Sequence, residues 1–308
     1  MLNIEDVYER IERNPEPKEI EEIRKHILSS FKELDFIEDG HKYFLNKDDG
    51  TKIEMNSVSS VCHRFEPLVD WDTIRDRKAK KLGISSEELK RQWREKNITS
   101  TSNGTLTHLF AESYMYFFMG QVDKIPSIIK DMQYEDGFLI PYGEKQMAVA
   151  KYYEDLNNVD NMWAVMPETK VYIESGNNPF GMNLNVSGTF DALFAFMDSK
   201  GKLKLSVRDW KTNASLLNSY NMSMGNTLLY PFDSGEFINQ PKSMYTIQLS
   251  LYQLGLQQLG YEIGDRKLLW LTDSGEYFKI DVQDVTNILI DYFSNNKKKK
   301  KMLRIFKF

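Results

Sequence analysis

The sequence predicts an α/β fold in which a mixed central sheet is flanked by helices, with a helical region at the N-terminal end. Three observations support this class. Helical periodicity dominates the first half of the chain, two-residue alternation takes over after residue 165, and an amphipathic helical pattern returns at residues 243–260 before two further strand-like runs. Strand and helix patterns that alternate along one chain are typical of this class.

The N-terminal part combines helices with a β-hairpin. Residues 1–35 have helical periodicity, and two short strand-like runs then flank Asp49-Gly50, a typical hairpin turn. The pattern is then helical until the alternating region begins. Within it we expect one helix to begin at Asn103 or Thr105 and to end at Gly120, because these residue types favour helix starts and stops.

The alternating region predicts three consecutive strands at about residues 168–175, 185–197 and 202–210. Residues 198–201 form a good turn sequence between the last two strands. Residues 212–242 are rich in Asn, Ser, Gly and Met and too long for a simple connector. We therefore predict a functional loop or an insertion there.

Composition excludes several classes of protein. The 308 residues are 41% hydrophobic and 13% aromatic, enough for a large buried core. Apolar runs are too short to span a bilayer, and the start MLNIEDVYERIERN is too charged for a signal peptide, so we expect a cytoplasmic protein without a membrane partner. Cys62 is the only cysteine, which excludes an internal disulfide and a four-cysteine zinc or iron–sulfur site.

The net charge of −5 argues against nucleic-acid binding through overall positive charge, but residues 74–97 are locally basic. Trp93 lies among the cations of this segment, which include Arg75, Arg77, Lys78, Lys81, Arg91 and Arg94. The segment is either a solvated helical face or a phosphate-contacting surface with one stacking aromatic residue. The lysine-rich tail at residues 295–308 is similarly either a frayed end or a non-specific electrostatic contact.

The segment LKLSVRDWK, residues 203–211, carries two charges on its predicted apolar face. Leu205 and Val207 alternate with polar residues, and the period of two places Asp209 and Lys211 on the same face. An unpaired buried charge costs several kcal/mol. Either the strand ends at Val207 and both charges are in solvent, or they are held inward to do chemistry.

A second acid supports the chemical interpretation. Asp191 lies in GTFD of the preceding strand, and two neighbouring strands can bring it close to Asp209. Crowded carboxylates need a counter-charge, and Mg²⁺ or Mn²⁺ suits oxygen ligands such as these and a backbone carbonyl like that of Trp210. Lys211 would point at the same place, where it could orient a water or offset charge on a phosphoryl group; its alternative role is a salt bridge to one of the acids.

The motifs GTFD and RDWKT together resemble the signature of the PD-(D/E)XK nuclease superfamily. Asp191 matches the first acid, and Asp209 and Lys211 match the D/E-x-K pair. NGTLTH resembles the histidine motif of the RecB-like exonuclease branch, which implies that His108 is an added metal ligand. The branch includes phage-encoded exonucleases and the mitochondrial genome maintenance exonuclease, which place segments similar to HKYF and NSVSSV ahead of that histidine.

The resemblance extends over about residues 40–272 and has two further matches and three departures. QLSLY fits the Q-x-x-x-Y helix of the branch through Gln248 and Tyr252, and Glu168 matches its upstream glutamate. Asp209 stands where many members have Glu, and residues 212–242 have no counterpart in the minimal core. The single cysteine excludes the iron–sulfur cluster of some relatives.

The resemblance implies a restriction-endonuclease-like core at residues 101–308 and a helical and hairpin region at residues 1–100 that contributes to DNA binding. The implied metal ligands are His108, Asp191, Asp209 and Trp210, for Mg²⁺ or Mn²⁺. The implied catalytic residues are Asp191, Asp209, Lys211, Glu168, Gln248 and Tyr252. The candidate DNA contacts are Arg75, Arg77, Lys78, Lys81, Arg91, Trp93, Arg94 and Tyr245.

The expected activity is a metal-dependent exonuclease that hydrolyses single-stranded DNA from its ends, in a phage-like replication, recombination or repair setting. We expect a monomer, with replication or recombination proteins as further partners. Two alternatives stay open: a structure-selective or double-strand endonuclease on the same core, and a non-catalytic DNA-binding recombination partner. A carbohydrate hydrolase with paired carboxylates would give no role to Lys211 or His108.

Several of these residues also have ordinary structural interpretations. His108 and Glu112 lie four residues apart on one helix face, where the imidazole could equally be a satisfied helix histidine. Glu168 could be an exposed carboxylate at a strand end. Gln248 and Tyr252 have the same spacing of four and could simply pack within the fold.

Overall fold

The computed structural model describes residues 1–37, 40 and 42–294, so His41 and the lysine-rich tail lie outside the described residues. Ten α-helices lie within this part of the chain: α1 (Ile4–Arg13), α2 (Lys18–Ser30), α3 (Val58–His63), α4 (Trp71–Leu82), α5 (Ser86–Phe118), α6 (Ser127–Gln133), α7 (Glu144–Asn157), α8 (Ser219–Met224), α9 (Pro241–Gln257) and α10 (Thr286–Ser294). None of the described helices is both long enough and apolar enough to cross a membrane.

Ten strands accompany these helices: β1 (Leu34–Ile37), β2 (Lys42–Asn46), β3 (Lys52–Ser57), β4 (Tyr134–Glu135), β5 (Phe138–Leu139), β6 (Met162–Ile173), β7 (Val186–Met197), β8 (Leu203–Lys211), β9 (Ile263–Leu271) and β10 (Tyr277–Asp281). Eight strands form one sheet in the order β1-β2-β3-β7-β8-β9-β10, with β6 paired to β7. The β3–β7 and β8–β9 pairs are parallel and the others antiparallel. The predicted α/β class with a mixed central sheet is therefore confirmed.

Strand β7 has different neighbours on its two sides. On one side it pairs with β6 along most of its length. On the other side it pairs with β3 at Val186 and Ser187, and with β8 from Ala192 to Met197. Residues 188–191 therefore lie where one partner strand stops and the next begins. We call this interval the β7 opening.

Helices cover both faces of the sheet. Leu205 and Val207 of β8 pack in a first core with side chains of α2, α3, α9 and α10. Trp210, which has the opposite parity in the same strand, packs in a second core with side chains of α1, α5, α6 and α7. Because alternate residues of a strand point to opposite faces, the two cores lie on opposite sides of the sheet.

Both faces of β8 are buried, so the strand does not alternate between buried and exposed residues as its sequence pattern predicts. Ser206 and Arg208, on the face opposite Leu205 and Val207, are also buried. The guanidinium of Arg208 lies 4.3 Å from the centroid of the Phe194 ring and donates hydrogen bonds to Tyr152 and Ser206. These partners explain how a charged side chain is tolerated under the second layer of helices.

Helix α5 begins far earlier than expected. The predicted start at Asn103 or Thr105 is wrong: the helix begins at Ser86, after Ser85 accepts a hydrogen bond from the backbone N–H of Glu88. The hydroxyl of Thr105 donates to a carbonyl four residues earlier, so this polar residue is satisfied inside the helix. The predicted end is confirmed, since Gly120 has a φ of 71° just after the last turn.

Two features connect the predicted N-terminal and C-terminal regions. The boundary between residues 100 and 101 lies within α5, and β3 pairs directly with β7. The segment 212–242 is packed rather than open: it forms α8 and places Leu228 and Phe232 in the first core. We refer to residues 212–242 as the insertion.

Candidate active site

The charged end of β8 lies beside the β7 opening. Strand β8 continues to Lys211, which pairs with β9, so the alternative in which the strand ends at Val207 is wrong. Asp209 is 3% exposed and Lys211 9% exposed. The last β7–β8 pair, between Ala192 and Arg208, brings Asp191 level with Asp209. The two acids and the lysine predicted from the sequence therefore do lie together.

Both oxygens of the Asp191 carboxylate have partners. Oδ1 lies 3.0 Å from Nδ1 of His108, and Oδ2 accepts a hydrogen bond of 2.5 Å from the backbone N–H of Trp210. Gly104, one turn before His108, faces the residue that follows β8, since a Cβ there would lie 3.4 Å from Oγ1 of Thr212. The glycine and histidine of NGTLTH thus both lie on the side of α5 that faces the end of β8.

Helix α9 holds the other side of Lys211. Its ammonium donates a 3.3 Å hydrogen bond to Oε1 of Gln248, and Nε2 of Gln248 donates in turn to the hydroxyl of Tyr252 at 3.0 Å. The ammonium also lies 4.0 Å from the centroid of the Tyr245 ring. Gly188 allows α9 to pack so closely, because a Cβ there would lie 2.9 Å from Cε1 of Tyr252. Gln248 and Tyr245 therefore fix the position of the Lys211 ammonium.

Two glutamates border the same place. Glu168 of β6 lies level with Asp191 of β7 in the β6–β7 register and has a φ of 44°, a conformation that non-glycine residues rarely adopt. Glu112 is half-buried on α5, four residues after His108. Among the described residues neither glutamate has a hydrogen-bond or ion-pair partner. The site therefore contains two carboxylates whose oxygens have no hydrogen-bond or ion-pair partner among the described residues.

The pKa values of the two aspartates are shifted in opposite directions. Burial opposes ionisation of Asp191, but His108 and Lys211 outweigh it and lower the pKa of Asp191. For Asp209, burial and the neighbouring Asp191 outweigh Lys211 and raise the pKa to about 7. Burial would also lower the pKa of Lys211, but Asp209, Tyr245 and Asp191 raise it. The lysine is stabilised by facing two acids, whereas Asp209 has one favourable and one unfavourable neighbour.

The neighbouring acids raise the pKa values of both His108 and Glu168, which favours the charged imidazole and the neutral carboxyl. Burial would lower the pKa of His108, but Asp191 outweighs it, so the pKa is raised and the imidazolium is favoured. The surrounding protein, Asp191 and Glu112 raise the pKa of Glu168; solvent still reaches this side chain, which limits the increase. The site thus has an excess of carboxylates over cationic groups.

The donor atoms suit a hard divalent cation. Oδ2 of Asp209 is buried and contacts Lys211, yet it has no partner with hydrogen-bond geometry among the described residues. Most of the nearby donors are carboxylate and carbonyl oxygens, which Mg²⁺ and Mn²⁺ prefer, and the imidazole of His108 is an additional nitrogen donor. Within residues 1–37, 40 and 42–294, no three His, Cys, Asp or Glu side chains are already arranged to hold a metal ion. The residues fit such an ion chemically, and binding would require Lys211 or His108 to yield its contact.

The predicted DNA contacts mostly lie on α4 and the exposed first half of α5. Arg75 pairs with Asp72 and Asp76, and Arg91 pairs with Glu88 and Glu95. Arg77, Lys78, Lys81 and Arg94 are exposed. Tyr245 instead lies on α9, where its hydroxyl donates to Asn213 at 2.7 Å. The structure therefore separates Tyr245 from the basic segment and places it beside Lys211.

The aromatic residue expected in the basic segment is not the most accessible one. Trp93 is half-buried, and Nζ of Lys78 lies 5.4 Å from the centroid of one of its rings. Trp71, at the first position of α4, is 65% exposed. Sequence reasoning missed Trp71; its position after the helix-capping Asp70, which follows the break at Pro67, was the available signal.

Two concave surfaces adjoin the site. A cleft of about 410 Å³ is lined by Glu168, Lys170, Gln248 and Tyr252, together with the residues that begin α3. A larger groove of about 1410 Å³ extends from the α3–α4 loop to the insertion and includes Tyr245. We call these the Glu168 cleft and the insertion groove. Lys211 lies between their linings, in contact with Gln248 and Tyr245.

We expect the metal-free protein to lose stability as the pH rises from about 5 to 8. Asp209 and Glu168 have raised pKa values in the folded state, so the folded state binds more protons than the unfolded state in this range. Their contribution to stability is present at low pH and is lost as the pH passes through the folded pKa values. Thermal unfolding in EDTA should show a falling Tm, and Mg²⁺ should offset the fall.

A double variant is the control for this pH dependence. Asp209→Asn with Glu168→Gln removes both carboxyl groups and should reduce the fall in Tm between these pH values, and the raised pKa of His108 accounts for the part that remains. A wild-type Tm that stays level or increases over the range would show that the carboxylates are not crowded as described.

No protein-family model and no curated protein matches this chain.

Proposed function

We propose that this protein is a metal-dependent DNA exonuclease of the PD-(D/E)XK type, with a restriction-endonuclease-like core, that hydrolyses phosphodiester bonds from single-stranded ends. The observation that carries the proposal is the arrangement of Lys211 and Asp209, buried side by side at the end of β8 and level with Asp191. A protein that needed only stability would gain little from such a group, because burying charges costs about as much as pairing them returns.

The metal would be held by Asp191, Asp209, the Trp210 carbonyl and His108. When bound, Mg²⁺ or Mn²⁺ would stabilise negative charge that develops on the phosphate oxygens. The Trp210 N–H and the His108 imidazole fix the orientation of the Asp191 carboxylate. These two contacts hold the Asp191 carboxylate in one orientation, and the His108 contact is one that a bound metal would displace.

Lys211 supplies a fixed cation beside the reacting phosphate. Its raised pKa keeps it protonated, and Gln248 and Tyr245 restrict where the ammonium can lie. An ammonium held in this way can orient the attacking water or offset charge in the transition state. Glu168, exposed on the wall of its cleft, can accept a hydrogen bond or a proton from that water.

The basic surface favours a nucleic acid as substrate. Arg77, Lys81 and Arg94 are exposed on α4 and α5 and have no ion-pair partner among the described residues. Lysine and arginine on one surface attract the phosphate backbone without regard to sequence. Because the start of α4 and Tyr245, which contacts Lys211, line the same groove, this helical surface can guide a strand toward the site.

The test is a cleavage assay with end-labelled linear single-stranded, linear double-stranded and circular single-stranded DNA, each in Mg²⁺, Mn²⁺ or EDTA. We expect linear single strands to be degraded in either metal and to survive in EDTA. Circular strands should stay intact, because an exonuclease needs an end.

Cleavage of circles would replace the proposal with an endonuclease on the same core. Absence of cleavage for every substrate in every metal would reject a nuclease and favour a binding protein in which Asp209 and Lys211 form an ordinary buried ion pair.

A further inference from the structure

The insertion groove connects to the candidate active site but has a different chemical character. One wall comes from the α3–α4 loop and the start of α4, and the other from α8 and the end of the insertion. Its lining reaches Tyr245, whose ring centroid lies 4.0 Å from Nζ of Lys211. A ligand in the groove would therefore lie against a side chain that itself contacts the lysine.

Two large aromatic side chains stand exposed on opposite walls of this groove. Trp71 is 65% exposed and Tyr220 is 67% exposed, and both line the groove. Within the described part of the chain, neither ring packs on another ring or forms a side-chain hydrogen bond. Leu68, in the same lining, is fully exposed. Large apolar surfaces that face solvent in a concave site usually mark a binding surface.

The walls that carry these rings are fixed in place. The Asn218 side chain accepts a hydrogen bond from the backbone N–H of Asn221, and Nδ2 of Asn221 donates to the carbonyl of Asn239 at 2.6 Å. On the other wall Asp70 accepts from the backbone N–H of Thr73 at 3.0 Å and starts α4. The rings are thus presented by ordered backbone, which lowers the entropic cost of binding.

The charge of the lining indicates which part of a strand would enter. Glu66 and Asp70 lie in the groove, whereas Arg77 and Lys81, which have no ion-pair partner among the described residues, lie further along α4, outside its lining. Carboxylates disfavour a phosphate backbone inside the groove, and the aromatic rings favour flat, uncharged groups. Nucleobases meet that description, with the phosphates left toward the basic surface.

We propose that the insertion groove binds unpaired nucleobases of a single strand, stacked on Trp71 and Tyr220, and that this aligns the strand with Lys211. The inference rests on the proposed nuclease function and adds a base-binding subsite formed by the insertion. Stacking on aromatic rings is tolerant of sequence, because every base has a flat face. The groove would thus favour unpaired over paired DNA, since bases in a duplex are already stacked.

The experiment measures binding of a fluorescein-labelled single-stranded oligonucleotide in EDTA, by anisotropy, beside an abasic oligonucleotide of equal length. Trp71→Ala and Tyr220→Ala should each weaken binding of the base-containing strand by about 5- to 100-fold. Neither variant should change binding of the abasic strand. Trp71→Phe keeps a ring and should retain most of the affinity.

Tyr8→Ala is the matched control, because Tyr8 is an exposed aromatic residue on α1, outside the groove. All variants change exposed side chains and should unfold at the wild-type temperature. Wild-type cleavage of linear strands in Mg²⁺ is recorded in parallel.

If the wild type cleaves but the Trp71 and Tyr220 variants bind both oligonucleotides as it does, the groove inference alone is wrong. If the variants weaken both oligonucleotides equally, stacking is wrong. If the wild type neither binds nor cleaves, both proposals fail.

Discussion

Replacing Lys211 with alanine is expected to lower the rate of DNA cleavage by about 10²–10³-fold or more, because one preorganised charge at a reacting phosphate contributes about this much. The ammonium is held by Asp209, Gln248 and the Tyr245 ring, and alanine leaves all three in place. The loss should therefore appear in kcat at saturating DNA. Single-turnover cleavage of an end-labelled strand measures it.

The control distinguishes lost chemistry from lost folding. Lys204→Ala removes a lysine from the other end of β8, where Nζ pairs with Asp198 and Glu262, and should leave cleavage unchanged. Lys211→Met keeps the aliphatic stem and should be as inactive as alanine while retaining more stability, since part of the packing remains. Cleavage by Lys211→Met at the wild-type rate would remove the lysine from the proposed mechanism.

Asp209→Asn is expected to abolish Mg²⁺-dependent cleavage while leaving the metal-free protein folded. Burial and Asp191 raise the pKa of this carboxyl to about 7, so an amide replaces it at little cost to folding around pH 7. Losing a ligand to the metal would remove several kcal/mol of transition-state stabilisation, a rate decrease of about 10²–10⁴-fold. The two effects should separate clearly: activity is lost and Tm is retained.

Thermal unfolding with and without Mg²⁺ tests this separation. Wild-type protein should gain stability from Mg²⁺, and Asp209→Asn should gain much less, because stabilisation by a ligand follows its affinity for the folded state. Asp265→Asn is the matched control on β9, where the carboxylate contacts Ser206 and Lys267 away from the site. An Asp209→Asn variant that cleaves normally in Mg²⁺ would contradict the assignment of this residue.

Much of the fold could be predicted from local patterns. The strands β6, β7 and β8, the hairpin of β2 and β3, and helix α9 each follow from a period of two or of 3.6 within one short segment. The same reasoning placed Asp209 and Lys211 on one face of β8, and both are buried there. Such inferences succeed because side-chain direction within a regular element depends only on the backbone of that element.

The errors arose where distant segments decide the outcome. The start of α5 was placed at Asn103 or Thr105, because local capping signals were read without the helix that continues through them. The alternation in β8 predicts only that Leu205 and Val207 face a core, yet Arg208 on the other face is also enclosed, by Tyr152 of α7 and Phe194 of β7. Trp93 was chosen as the accessible aromatic residue, whereas the neighbouring α4 partly covers it and leaves Trp71 exposed.

The sequence by itself determined the order of the main strands and helices, the placement of Asp209 and Lys211 on one face of β8, and the set of donor atoms available for a metal. Only the tertiary structure decided that β3 and β8 share one side of β7 and leave the β7 opening between them. It also decided that α5 brings His108 to Asp191, and that the insertion forms one wall of a groove ending near Lys211. The physical reason is that these arrangements depend on hydrogen bonds and packing between segments far apart in the chain, which no local period encodes.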